Sequence, residues 1–288
     1  LVDTPALYSI YPAGMTRDQE RAGEMGQTAP VVAVCVGNTR TQIGLVRGGR
    51  AEEVQSLANG DLVHVAAEVA KLAEGADEVG DVPVVLASVN DPVAEQIERR
   101  LLAEFGIETS RIGRDVEISI THSLDDASTV GQDRLLNALG AFATLGQACV
   151  VIDTGTAVTV DFVDGVGTFH GGAIAPGVDM MLRALHERTA ALPSIEFADP
   201  EPERGPLGKD TKHAMLLGVQ AAAVGLVHRL IDRYAEFYGG YPSVIATGGN
   251  AAALFAGDEL VERVVPELQL IGVGEACKRA LADEDAED

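Results

Sequence analysis

The chain has no tryptophan and is 4% aromatic over its 288 residues, so a hydrophobic content of 47% has to come from aliphatic side chains. An interior rich in Ala, Val, Leu and Gly is characteristic of α/β proteins. Cations are scarce too: 21 Lys and Arg face 44 Asp and Glu, a formal net charge of −23. That balance excludes nucleic acid as a direct partner, because a phosphate backbone is gripped by Lys and Arg. The three cysteines, Cys35, Cys149 and Cys277, have neither metal-ligand spacing nor the pattern of a disulfide framework. The six histidines show no ligand pattern either, and each is expected to be structural or exposed. No apolar run approaches about 18 residues, and residues 1–30 lack a basic flank followed by a hydrophobic stretch. Neither a membrane span nor a signal peptide is therefore expected, and the chain reads as cytoplasmic.

What is present centres on residues 150–165, VVIDTGTAVTVDFVDG. An apolar run predicts a buried strand, Asp153-Thr154-Gly155-Thr156 a tight turn, and the alternation after Ala157 a returning strand. Such a turn sets a carboxylate, a flexible backbone and a hydroxyl at one sheet edge. Phosphate chemistry uses these groups, since Gly lets amides approach an anion, Thr donates a hydrogen bond and Asp holds a cation. The same pattern also makes an ordinary hairpin. Residues 31–46, VVAVCVGNTRTQIGLV, repeat the plan half a chain earlier, which predicts two related domains. Where the second copy has Asp153, the first has Cys35.

The rest of the chain alternates. Helices are expected at 56–74, 92–105, 131–145, 178–192, 215–237 and 251–255, and strands at 82–89 and 241–246. Residues 171–177, GGAIAPG, read equally as a ligand-facing loop or a structural turn, and 194–210 as a loop. Asp133 and Arg134 open a helix, where an acid is commonly only a partner of the helix dipole and Arg a surface charge. Thr247, Gly248, Gly249 and Asn250 make a strand-to-helix junction whose amides could meet a nucleotide.

Together these stretches resemble type III pantothenate kinases. The resemblance rests on Val36-Gly37-Asn38-Thr39 with Gly44, Gly131-Gln132-Asp133-Arg134, Asp153-Thr154-Gly155-Thr156-Ala157, residues 171–177, Thr189-Ala190-Ala191-Leu192-Pro193 and Thr247-Gly248-Gly249, in that order over residues 31–273. It implies the acetate-and-sugar-kinase/actin-like superfold, an α/β architecture of two related domains with mixed sheets flanked by helices and ATP in the cleft between them. It also implies a homodimer. The expected organisation is a loose extension at 1–30, an N-terminal domain at 31–147, a C-terminal domain at 148–282 and an acidic tail at 283–288.

The implied reaction is ATP-dependent phosphorylation of pantothenate to 4'-phosphopantothenate, the first step of coenzyme A biosynthesis. Carried over by position, Asp133 is the general base. Gly131, Gln132, Asp133, Arg134 and Thr189 bind pantothenate, with Arg134 countering its carboxylate. Cys35, Val36, Gly37, Asn38, Thr39, Arg40, Thr41 and Gln42 belong to the ATP loop, with Thr156, Gly248 and Gly249. Asp153 holds a monovalent cation, potassium or ammonium, and Mg2+ accompanies ATP. Two positions depart from the family. Cys35 replaces an Asp, and Leu124 replaces a substrate-contacting Tyr seven residues before Gly131. A thiol is a soft ligand and mostly neutral, so Cys35 is expected to weaken magnesium handling, and restoring Asp to raise turnover. Two further readings stay open: a weakened or retired kinase acting as a ligand-binding regulator, and a kinase of the same superfold acting on another small hydroxy acid.

Overall fold

The computed structural model describes residues 29–75 and 82–287, so the expected extension lies outside the described residues as far as residue 28. In chain order, β1 (Val31–Val36), β2 (Arg40–Arg47) and β3 (Arg50–Ala58) lead into α1 (Leu62–Gly75). After β4 (Val84–Ser88) comes α2 (Asp91–Arg100), which loosens into a π turn at Leu101–Phe105 and stops at the left-handed Gly106. Then follow β5 (Thr109–Arg111), α3 (Gln132–Leu145), β6 (Cys149–Thr154), β7 (Ala157–Val163) and β8 (Phe169–Pro176). The chain continues through α4 (Val178–Glu187), α5 (Thr211–Tyr238), β9 (Ser243–Thr247), α6 (Ala251–Phe255), β10 (Arg263–Val264) and α7 (Leu268–Glu287).

The chain forms two compact units. Among the described residues, the first holds those up to Ile120, then Ser128–Thr144, then Glu267–Glu287; the second holds Thr121–Ala127 and Leu145–Pro266. Each has one five-stranded sheet, ordered β3-β2-β1-β4-β5 in the first and β10-β9-β6-β7-β8 in the second. Both sheets follow one plan. The first three strands of each unit pair antiparallel as a meander, and the other two add in parallel on the far side of the central strand. This duplicated arrangement is the expected acetate-and-sugar-kinase/actin-like superfold. By register, Cys35 in β1 pairs with Gln42 and Ala87, as Asp153 in β6 pairs with Thr159 and Thr247. The two positions are equivalent.

In the first unit Val32, Val34 and Val36 alternate onto one face with Ile43 and Leu45, where they meet Val65 and Val69 of α1 and Ala94 and Ile97 of α2. The last helix, α7, returns to this unit and packs on β1 and β2. It crosses α3 backbone to backbone. A Cβ on Gly140 would lie 2.6 Å from the Leu268 carbonyl, and one on Gly272 would lie 2.1 Å from the Leu136 carbonyl. The sequence reading closed the second domain at 282 and gave 283–288 to a tail, whereas α7 belongs to the first unit and is helical through Glu287.

Several local expectations need correction. Residues 56–58 belong to β3 rather than to a helix, which starts at Leu62 after the Asn59-Gly60 break. Residues 171–176 are strand β8, and α4 ends at Glu187 instead of running to 192. Helix α5, 28 residues long, is apolar enough by length and composition to pass for a membrane span. In the fold it is the core helix of the second unit, burying Met215, Leu216, Val219, Ala223, Val227 and Ile231 against β6 and β7.

The α3–α7 crossing generates the first prediction. Gly272→Ala should lower unfolding stability in urea by about 1–3 kcal/mol, the usual cost of overpacking. Gly218→Ala, inside α5 with nothing within 4 Å of its Cβ position, should leave stability unchanged or raise it by about 0.5–1 kcal/mol.

Candidate active site

In the second unit, three glycine-bearing stretches far apart in sequence meet at the end of β6. Thr154 and Val158 close the β6–β7 hairpin, in which Gly155 N–H donates to the Ala157 carbonyl at 3.0 Å. Thr156 is exposed at the tip and Asp153 half-buried at its base. Gly248 follows β9 with φ of +95°, and a Cβ there would lie 2.4 Å from Asp153 Oδ1 and 2.6 Å from the Thr154 nitrogen. Only glycine fits that place. Asn250 N–H donates to the Thr154 carbonyl at 3.1 Å, and Thr154 Oγ1 to the Thr247 carbonyl at 3.2 Å. From the other side Gly177 N–H donates to the Thr156 carbonyl at 3.1 Å, and a Cβ on Gly177 would meet the Gly155 carbonyl at 2.4 Å. Residues 153–156, Gly177 and 248–250 thus form one backbone-lined cradle, in which Asp153 supplies a carboxylate beside exposed Thr156 and Gly249. The amides of Gly155, Gly177 and Asn250 are engaged in holding these stretches together, so what the cradle presents is the Asp153 carboxylate, which fits a cation, beside the exposed Thr156 and Gly249.

In the first unit the corresponding turn exposes Asn38, Thr39 and Arg40, and Gly37 N–H donates to the Arg40 carbonyl at 2.9 Å. Asn59, which the sequence reading did not single out, braces it. Its Nδ2 donates to the Gly37 carbonyl at 2.8 Å, its Oδ1 accepts from Thr41 Oγ1 at 2.8 Å, and its N–H donates to the Thr39 carbonyl at 3.1 Å. The Asn-Gly break before α1 was the available signal. Within the expected ATP loop, Thr41 is buried with its hydroxyl on Asn59, and Gln42 is half-buried. The Arg40 guanidinium is bound to the Ser56 hydroxyl and carbonyl. Val36 belongs to the strand core.

Asp133 stands in the first turn of α3, half-exposed, with Oδ1 accepting the Arg134 N–H at 2.9 Å. Gly131 makes room for it, since a Cβ there would lie 2.4 Å from that oxygen. Gln132 packs its amide over Gly113. Cys35 is 3% exposed and close enough to feel Asp133; burial, and then the Asp133 charge, push its thiol far above the ordinary range. Cys35 is therefore a neutral thiol. Thr189, exposed after α4, donates to the Leu185 carbonyl at 2.8 Å and accepts from Leu192 N–H at 3.3 Å, so its hydroxyl serves its own turn. Among the described residues no group of three or more His, Cys, Asp and Glu is placed to hold a metal ion.

Comparison with known proteins completes the picture. A family model for type III pantothenate kinase matches residues 31–233. A type III pantothenate kinase from Dehalococcoides mccartyi strain CBDB1 is 33% identical over 256 residues, covering 85% of this chain and 94% of its own. Another, from Acidiphilium cryptum, is 38% identical over 183 residues, or 63% of this chain and 68% of its own. Among solved structures, a protein described as a Baf family transcriptional activator from Campylobacter jejuni superposes with a TM-score of 0.52 at 15% identity, covering 88% of this chain and all of its own, which supports the fold.

The burial of Cys35 adds a stability cost to its substitution by Asp. An Asp there would place a second carboxylate in a desolvated position beside Asp133, where like charges oppose each other. Cys35→Asp should lower unfolding stability by about 2–4 kcal/mol in urea without divalent cation. Cys35→Ser should cost less, about 1 kcal/mol, since a hydroxyl is neutral. Equal stability of the Asp variant and the parent would show that this position is solvated.

Proposed function

The chain belongs to the type III pantothenate kinase family, and on that premise we propose that it transfers the γ-phosphoryl group of ATP to the hydroxyl of pantothenate. The product is 4'-phosphopantothenate, and the reaction opens coenzyme A biosynthesis. The observation that carries the assignment to these residues is the start of α3. There Gly131 leaves space for a half-exposed Asp133 carboxylate directly followed by Arg134. Phosphoryl transfer asks little covalent chemistry of a protein and depends on positioning and charge compensation. Asp133 orients the pantothenate hydroxyl and accepts its proton, while Arg134 faces the pantothenate carboxylate. Thr189 is the remaining acceptor contact. The 37–39 turn, Thr156 and the Gly248-Gly249 junction take the ATP phosphates through main-chain amides and hydroxyls.

Asp153 is the carboxylate for a monovalent cation, potassium or ammonium, beside the main-chain groups at Gly248. Magnesium, a hard cation, takes its ligands chiefly from phosphate oxygens and water, since Cys35 offers no charged oxygen. Bound there, it would neutralise charge developing on the phosphates. Association as a homodimer is supported by apolar side chains left outside, with Ile174 on β8 64% exposed and Met180 on α4 42% exposed. The enzyme works in the cytoplasm.

Two measurements test this reading. A coupled ADP-release assay with pantothenate, ATP and magnesium, in sodium or potassium, should show turnover that potassium stimulates. In that assay Asp133→Asn should reduce kcat by about 10²–10⁴-fold with KM changed little, the worth of a positioned acid/base group. Loss of about 1 kcal/mol of stability with near-normal turnover would make Asp133 a helix cap. Light scattering should return twice the 30.0 kDa chain mass, and a monomer mass at micromolar protein would refute the dimer.

A further inference from the structure

One histidine is built into a relay outside the residues considered so far. His170, on β8, has Nε2 2.9 Å from Asp164 Oδ2 and Nδ1 2.9 Å from Ser123 Oγ. Asp164 is itself fixed, its Oδ1 accepting the Val166 N–H at 3.0 Å and the Thr168 N–H at 2.9 Å. Partial burial tends to raise the Asp164 carboxyl, but the bonds from His170, Thr168 and Val166 outweigh it and hold the group below its ordinary range. An anionic Asp164 selects the tautomer: Nε2 carries the proton and donates, which leaves Nδ1 to accept from the Ser123 hydroxyl. The ring lies against Phe162 and Phe237, at centroid distances of 5.6 and 5.9 Å, which fixes its plane.

The relay ends on a strap. Thr121–Ala127 belongs to the second unit although the chain on either side of it belongs to the first. It runs beside the start of β8 through two backbone bonds, Ser123 N–H to the Phe169 carbonyl at 3.0 Å and Phe169 N–H to the Thr121 carbonyl at 2.8 Å. Leu124 is held over the glycine pair of β8, its Cδ2 3.1 Å from where a Cβ on Gly171 would be. Beyond the strap come the short turn Ala127–Thr129, then Gly131 and Asp133. The side-chain bond from Ser123 to His170 adds to these backbone bonds in seating the segment. Ser, His and Asp in a line also suggest a nucleophile, but the Ser123 N–H is committed to Phe169, and a hydrolytic site needs amides free for an oxyanion.

We propose that Ser123, His170 and Asp164 form a latch that seats the 121–127 strap on β8, and that His170 is thereby a positioning residue for the pantothenate side of the kinase reaction. The second clause rests on the functional reading above. The strap is the lead-in to Gly131 and Asp133 and carries Leu124 to Gly171, so freeing it should disturb the acceptor and spare ATP.

The test uses the full chain with Ser123→Ala, His170→Gln, which keeps a donor toward Asp164 but cannot also reach Ser123, and His170→Ala. Hydrogen exchange read by mass spectrometry should quicken in peptides covering 121–127 by about threefold to tenfold in all three, the effect of one hydrogen bond. The pantothenate KM should rise by a similar factor while the ATP KM stays within about twofold. His170→Gln should match Ser123→Ala, and His170→Ala should be the most affected. Unchanged exchange in 121–127 overturns the latch. Equal increases in both KM values, or none, overturn the positioning role and leave a merely structural one. A parent protein inert toward pantothenate overturns the functional reading and with it the positioning role; the exchange data still decide the latch.

Discussion

Asp153 can stand at the end of β6 because position 248 carries no side chain. Gly248 has a backbone conformation that L side chains rarely adopt, and its Cβ position is already filled by the Asp153 carboxylate and the Thr154 backbone. Gly177 plays the same part on the other side, against the carbonyls of Gly155 and Thr156. Three chain segments more than 20 residues apart are thus drawn to backbone contact around one turn. The result is a surface built largely of main-chain groups, with the Asp153 carboxylate at its base and the Asp179 carboxylate accepting from Asn250 Nδ2 at 3.3 Å. Every role given to Thr156, Gly249 and Asp153 depends on that approach being possible.

How much of this was legible beforehand follows from which forces act locally. Both phosphate-type hairpins could be read, because an apolar run, a Gly-containing turn and an alternating run are local signals, and the duplication follows from seeing them twice. The third strand of each meander could not. Residues 50–58 form a largely exposed strand with weak alternation, and 169–176 is so rich in glycine that its strand is set by pairing with β7 rather than by its own side chains. The short strands β5 and β10 exist only through parallel pairing with β4 and β9. Nor does any pattern near residue 268 reveal that α7 belongs with α3; that follows from the complementary Gly140 and Gly272, 132 residues apart. The proposed site residues were legible as motifs, while the hydrogen bonds around them were not, as Asn59 beneath the 37–41 turn illustrates.

The equivalence of Cys35 and Asp153 shows what burial adds to sequence. Both occupy the fifth place of a central strand, before a Gly-containing turn, but Asp153 is half-buried beside a glycine and Cys35 is enclosed. Read as chemistry alone, the thiol looks like a lost metal ligand. Read with its surroundings, it is a neutral group that adds no second charge beside Asp133. A position that is 3% exposed accepts a thiol at little cost and a carboxylate only with a compensating cation.

The same logic bears on how so acidic a chain would hold anionic substrates. A net charge of −23 disfavours ATP at long range, and of the expected contacts Arg40 already has its guanidinium engaged with Ser56. Long-range repulsion is screened over about 8 Å at physiological ionic strength, whereas a hydrogen bond from an amide at contact distance is not. Recognition has therefore to be short-ranged and supplied by groups that carry no net charge. The exposed Thr39, Thr156 and Gly249 would meet that requirement in the proposed reaction, as would a cation that arrives with the nucleotide. In the proposed reaction the scarcity of lysine and arginine and the glycine at the turns would be two sides of one solution, with backbone geometry taking over work that a basic patch otherwise performs.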